Sequence, residues 1–272
     1  FRYGAMRRKK RWGYIKAWAL CVALLGGGAL ATEDFFQWSR LRTFVVHPEG
    51  VIAEEVLWSL VPRGALRCWW VFPESFRTVE DYLDRMYPVR ANLDLVGFGD
   101  VVCSVVPLQP VLVVRWRGED WYLDDEEGAI WRTDLPENLL VQGLQRPEGP
   151  PLEWGEDMPV PVAPAGEDRR VFRSRIPSGL LRAWHKALDS LKIRSRVERW
   201  RVRKCKGLEF VEITLPMGGH SVTVVLDGTN AAAWVQMVPA VEKIVETLGG
   251  GTATLVADTT YGDKIVVRKN YQ

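Results

Sequence analysis

The side chains that could do chemistry in this chain are few and scattered. Its three histidines stand at His47, His185 and His220. Histidine catalysis needs a hydroxyl, thiol or carboxylate within hydrogen-bond reach, and none of the three has such a partner nearby in sequence. Partners from distant positions are left open. His185 is read as a surface residue, off the apolar stripe of its helix. The four cysteines, Cys21, Cys68, Cys103 and Cys205, show no CxxC spacing and no neighbouring histidine. They read as thiols with at most one disulfide among the last three, not as a metal site. Asp124-Asp125-Glu126-Glu127 gathers four carboxylates before Gly128. A calcium loop spaces its oxygens over a longer stretch, so this run reads as a solvated turn. There is no GxSxG, no HExxH and no phosphate-binding glycine loop, and no glycosidase-like carboxylate pair stands out. The residues predict no catalytic, cofactor or metal site, and a scaffold or binding protein rather than an enzyme.

The strongest signal lies at the start. Arg7-Arg8-Lys9-Lys10-Arg11 precedes an apolar segment, residues 12–31, broken only by Lys16. A bilayer core takes about 20 apolar residues as helix, and Lys16 can snorkel. The cations put residues 1–11 on the cytoplasmic side and the rest of the chain outside. A cleaved signal peptide is the rival reading, with Ala29-Leu30-Ala31 as the small-x-small site. Gly26-Gly27-Gly28 favours that rival, because glycine makes a poor membrane helix. Both readings place the remainder in one compartment and differ in whether it stays tethered. The chain begins at Phe1, and Met6 is read as a start. Seven of the 36 Lys and Arg lie in residues 1–31, so the remainder carries 29 against 34 Asp and Glu, a net −5. That balance argues against nucleic acid as a partner.

The elements after the anchor follow from periodicity and punctuation. Residues 32–42 form a stalk, and Thr43–His47 is strand-like. Apolar positions 52, 56, 57, 60 and 61 predict a helix over 52–61, stopped by Pro62 and Gly64. A second helix is predicted to start at Thr78, with Asp81 as a near capping box, and to end at Pro88. Residues 92–96 and 101–106 predict strands joined by Gly97-Phe98-Gly99-Asp100. Strands follow at 111–116, 121–124 and 129–131. Residues 136–170, rich in Pro and Gly, read as a long surface excursion outside the core. A strand at 171–174 precedes a helix capped by Ser178, with Leu180, Leu181, Trp184, Leu188 and Leu191 as its buried face. Strands at 196–204, 208–215 and 221–226 follow. The first alternates Arg with apolar residues (Val197, Arg199, Trp200, Arg201, Val202, Arg203), which suits a half-exposed strand facing an acidic partner. Asn230 is expected to cap a last helix, which Pro239 should kink or split. The chain closes with strands at 254–258 and 264–268.

In this order the elements resemble the FtsQ/DivIB family of bacterial cell-division proteins. The resemblance rests on the basic tail and span, then on FVVHPEGVIAEEVLWSLV at 44–61, PVLVVRWRGEDWYLDDEEGAIW at 110–131 and TATLVADTTYGDKIVVR at 252–268. It covers nearly all of residues 7–269. The chain departs from the family where Pro107-Leu108-Gln109, not Glu-Arg, precedes Pro110-Val111, and in its long excursion and glycine-rich span. The resemblance implies an α+β fold in parts. A transmembrane helix at 12–31 leads to a small POTRA-like β-α-α-β-β domain at 43–107, then to a larger, mostly antiparallel β-domain with packed helices at 108–270. It implies a non-enzymatic, single-pass protein of the bacterial cytoplasmic membrane at the division site. Its implied partners are small coiled-coil division proteins like FtsB and FtsL, gripped by strand addition. Carried over position by position, that contact falls on Thr260, Tyr261, Gly262, Asp263 and Lys264, with Ile265, Val266, Val267 and Arg268 as the edge. Two alternatives stay open: another POTRA-type envelope assembly or transport component, and a secreted or periplasmic protein with a cleaved signal.

Overall fold

A computed structural model describes Trp18 and residues 40–61, 63, 73–124, 126, 128–135, 144–164, 168–262 and 264–269. The expected stalk and span, apart from Trp18 and residues 40–42, lie outside the described residues, as does Cys68. Among the described residues no helix is long and apolar enough to cross a membrane. The fold is α+β, and the chain divides into two compact units, residues 1–81 with 91–105, and residues 82–90 with 106–272.

The first unit is built on a three-stranded sheet in the order β1-β3-β2, with β1 (Thr43–His47), β2 (Val89–Leu95) and β3 (Asp100–Pro107). Strand β1 runs parallel to β3 and alternates strictly, turning Phe44 and Val46 inward. Helix α1 (Glu54–Leu60) starts two residues later than the periodicity suggests. Ile52 is buried but precedes the helix. Glu54 and Glu55 occupy its first turn, where the helix dipole favours anions. Trp58 meets Phe44 edge-on at 4.8 Å. Helix α2 (Pro73–Met86), whose residues from Tyr82 on belong to the second unit, corrects the expected start at Thr78. Proline suits the first helical position, because its missing N–H is one the helix cannot use. Pro73 opens the helix, and Thr78 lies within it on an exposed face.

The second unit is organised by one ten-stranded sheet in the order β13-β12-β11-β10-β9-β7-β4-β5-β6-β8. Strands β4 (Leu112–Trp116), β5 (Glu119–Asp124) and β6 (Ala129–Arg132) form an antiparallel meander, and β8 (Val171–Arg173) pairs with β6. Strands β9 (Arg199–Cys205), β10 (Leu208–Met217) and β11 (His220–Asp227) form a second meander. Strand β12 (Thr254–Tyr261) runs parallel to β11 after a crossover through a helix, and β13 (Lys264–Lys269) returns beside β12.

The two meanders are joined by β7 (Leu152–Trp154), parallel to β4 on one side and β9 on the other. This overturns the reading of 136–170 as an excursion outside the core. Leu152 is fully buried and Trp154 nearly so. Composition misleads here because prolines at 147, 150, 151, 159 and 161 bracket the strand without entering it.

Helices α3 (Ser178–Leu191) and α4 (Ala231–Thr247) accompany the sheet, and their apolar side chains join those of the strands in a single core. Leu181, Trp184, Ala187 and Leu188 of α3 are buried, as are Trp234, Val238, Val241 and Val245 of α4. The two tryptophans stack at 6.2 Å. Their indole N–H groups donate to adjacent carbonyls at the end of β11, Trp184 to Gly228 and Trp234 to Asp227, each at 2.8 Å. A buried indole needs such an acceptor.

The expected caps are displaced. Pro177 holds the N-cap position of α3, so Ser178 is the first helical residue and caps nothing. Asn230 does hold the N-cap of α4, without a side-chain hydrogen bond. Pro239 does not split α4, which runs as one helix through it. The bond it forfeits is to the carbonyl of residue 235, and Val235 lies on the solvent side.

Candidate functional site

The residues carried over from the family resemblance fall on the β12–β13 hairpin, at one end of the large sheet. Its base is fixed from below. Thr259 is buried and its hydroxyl donates to the Val225 carbonyl at 2.8 Å. Asp258 accepts from both the backbone N–H and the hydroxyl of Thr260, at 3.0 and 2.6 Å. The register then shifts between Asp258 and Tyr261, the mark of a bulge. A bulge bends and twists the strand that carries it. Tyr261, paired with Lys264 across the turn, is 63% exposed. Gly262 turns the chain at φ +74°, in the left-handed region that glycine enters without strain. Asp263 lies outside the described residues.

Strand β13 divides its side chains by parity. Ile265 and Val267 are half-buried and pack on the main core. Lys264, Val266 and Arg268 are exposed. In the order of the sheet no strand follows β13, so one row of its backbone N–H and C=O groups has no strand to pair with among the described residues.

The opposite end of the sheet is treated differently. Beyond β8, residue Val162 forms a bridge with Ser174. Ala163 N–H donates to the Arg173 carbonyl at 3.0 Å, and Arg175 N–H donates to the Pro161 carbonyl at 2.8 Å. The chain thus covers its β8 edge with its own proline-bearing segment.

Away from the helices, the second face of the sheet carries charge. Asp120, Arg115, Glu153, Arg201 and Glu212 lie in direct register across β5, β4, β7, β9 and β10, alternating in sign. The same row continues through Val225 and Asp258 to Val266 on β13. Arg115 grips Asp120 with two bonds of 2.7 and 3.0 Å. Arg199 grips Glu153, its Nε at 2.8 Å, and Arg203 meets Glu212 at 2.7 Å. The hydrogen bond from Arg199 holds the Glu153 carboxyl below its ordinary pKa. Burial opposes this, and the charges of Arg199, Arg201 and Arg115 add to it. The acids expected on a partner of this arginine strand are therefore supplied, for Arg199 and Arg203, from within the chain. Near β6 the same face is closed by a small apolar cluster of Leu108, Ala129, Trp131 and Val171.

The remaining candidates for chemistry stay apart. His185 is not a surface residue: it is half-buried, with its ring edge-on to Trp200 at 6.0 Å. His220 is buried at the turn from β10 to β11, its ring nitrogens 2.9 Å from the Gly249 carbonyl and 3.3 Å from the Ala253 carbonyl. It ties down the glycine-rich segment that feeds β12. Cys103 is buried and Cys205 exposed. Among the described residues no group of His, Cys, Asp and Glu is placed to hold a metal ion. The covered β8 edge and the keystone strand β7 carry no sequence signal beyond the short apolar alternation Leu152-Glu153-Trp154.

No protein-family model matches the chain, and no curated protein matches it.

Proposed function

We propose that this chain is a non-enzymatic scaffold of the bacterial cell-division complex, anchored in the cytoplasmic membrane by residues 12–31. Its second unit binds short coiled-coil division proteins by accepting one of their segments as an added strand at β13. The first unit, with its β-α-α-β-β order, takes the part of a POTRA domain. The observation that carries the reading is the asymmetry of the sheet's ends. One edge is closed by residues 161–163, and the other, β13, has a backbone row with no strand to pair with among the described residues. Open edges invite pairing, and proteins ordinarily cover or disable them. An edge left open beside an exposed tyrosine and an exposed valine suits strand addition, in which main-chain bonds supply affinity and side chains supply selection.

The test is co-purification of the intact, membrane-extracted protein with identification of the chains that accompany it. Short coiled-coil division proteins should come down with the wild type. They should be lost from Tyr261→Lys and Val266→Asp, exposed positions where the fold tolerates a charge. Retention of those partners by both variants would move the contact elsewhere. Absence of any division protein from the wild-type sample would end the scaffold reading.

A further inference from the structure

In the first unit, exposed apolar side chains gather at the tip of the β2–β3 hairpin. Val96 is 68% and Phe98 58% exposed. The tip is a built turn. Val96 N–H donates to the Asp100 carbonyl and Gly99 N–H to the Gly97 carbonyl, both at 2.9 Å. Its back rests on the chain at residues 40–42. Arg42 N–H donates to the Gly99 carbonyl at 2.7 Å, and a Cβ at position 99 would lie 2.4 Å from the Arg40 carbonyl oxygen. Leu41 is buried, while Arg40 and Arg42 on either side of it are exposed. The tip, with its two exposed apolar side chains, thus lies against the backbone of a segment that carries two exposed arginines. The acid beside the tip, Asp100, accepts the Thr43 hydroxyl at 2.9 Å.

The sequence sets this surface close to the apolar segment. Arg40 follows Ala31 by nine residues, which reach at most about 30 Å when fully extended. The link carries Glu33 and Asp34, and also Phe35, Phe36 and Trp38. Aromatic residues beside a span favour the headgroup level.

We propose that the β2–β3 tip is a membrane-contact site, in which Val96 and Phe98 enter the interfacial layer while Arg40 and Arg42 meet the phosphates of anionic headgroups. The proposal rests on the anchored reading given under Proposed function. Apolar insertion and attraction to anionic lipid add together in such contacts. Tethering by the span removes most of the entropic cost of reaching the surface.

Full-length protein reconstituted into phosphatidylcholine vesicles, with or without phosphatidylglycerol, tests this. Phe98 is replaced by photoreactive p-benzoylphenylalanine, and in a control Leu208, which is 61% exposed in the second unit, is replaced instead. Alkaline carbonate extraction first reports whether the chain is integral. The expected result is an integral protein that forms lipid adducts at position 98 well above those at position 208. With phosphatidylglycerol present, Arg40→Glu and Arg42→Glu should each reduce the membrane-bound population of the tip about fivefold. An integral protein whose adducts at 98 are no higher than at 208, or are with protein instead of lipid, overturns the contact and leaves the anchor standing. Release of the chain by carbonate overturns the anchor and the contact with it.

Discussion

Leu152→Ala probes the joint on which the large sheet depends. Leu152 is 0% exposed and lies in register between Val114 on β4 and Trp200 on β9, both buried. The substitution removes three carbons, about 2.4 kcal/mol at roughly 0.8 kcal/mol per buried methylene. A strand paired on both sides has little freedom to collapse into the space, so a cavity term of about 1 kcal/mol is added. The expected loss is about 3–4 kcal/mol, a large share of the roughly 5–15 kcal/mol that holds a typical domain together. Peptide-resolved hydrogen exchange on the full-length protein reads it directly. At about 1.4 kcal/mol per factor of ten, amides of β4, β7 and β9 should exchange roughly two to three orders of magnitude faster. A shift within about 0.5 kcal/mol, the usual effect of a surface substitution, would mean that the proline-rich stretch lies outside the core after all, and the joint between the meanders would need another explanation.

Gly99→Ala should destabilise the β2–β3 hairpin locally by more than about 1 kcal/mol, since it adds left-handed strain at φ +90° to a clash with the Arg40 carbonyl. Limited proteolysis within residues 96–100 checks it, and wild-type resistance would refute the close approach. Glu153→Gln should flatten the acid limb of the stability profile. The folded-state pKa of Glu153 is depressed, so its contribution is present above the unfolded value of about 4.3 and is lost as pH falls through the folded value. Because Arg199 is 60% exposed, that contribution stays below about 1 kcal/mol, and chemical denaturation from pH 3 to 7 (about the carboxylate range) would refute it by showing parallel curves for variant and wild type.

What could be read from the sequence was what local pattern controls. The alternation in Thr43–His47 marked its strand to the residue, and the Lys206-Gly207 turn marked the flanking ends of β9 and β10 to within one residue, whereas β9 starts three residues later than expected because Arg194–Arg196 form a 3-10 helix. The buried face of α3 was legible because Leu181, Trp184 and Leu188 recur at helical spacing. The start of α2 was not, because Thr78 with Asp81 imitates a cap while the true opening, Pro73, follows an apolar run that suggests no helix. Strand β7 was hidden for a different reason. Three residues are too few to show a period, and pairing on both sides, a tertiary fact, makes them a strand. His185 read as exposed because the ring it meets, Trp200, lies fifteen residues away on another element. For the candidate site, the resemblance supplied the residues, and only the sheet order shows that they lie on an edge.

That edge also carries its own protection. Strand β13 is six residues long, and Lys264, Arg268 and Lys269 make half of it cationic. Two copies of β13 brought together would set cation near cation in either direction, and like charges facing each other across strands are destabilising. Lysine on an exposed strand is a common way to keep an edge from pairing with itself. The same charges do not oppose a strand of opposite sign. Ile265 and Val267 meanwhile extend the main core toward the open side, so an incoming segment with apolar residues on that face and acids on the other would satisfy the backbone row, lengthen the core and neutralise the cations together. The features that disfavour pairing of β13 with a copy of itself are thus the ones that would select a different chain under the proposed strand addition.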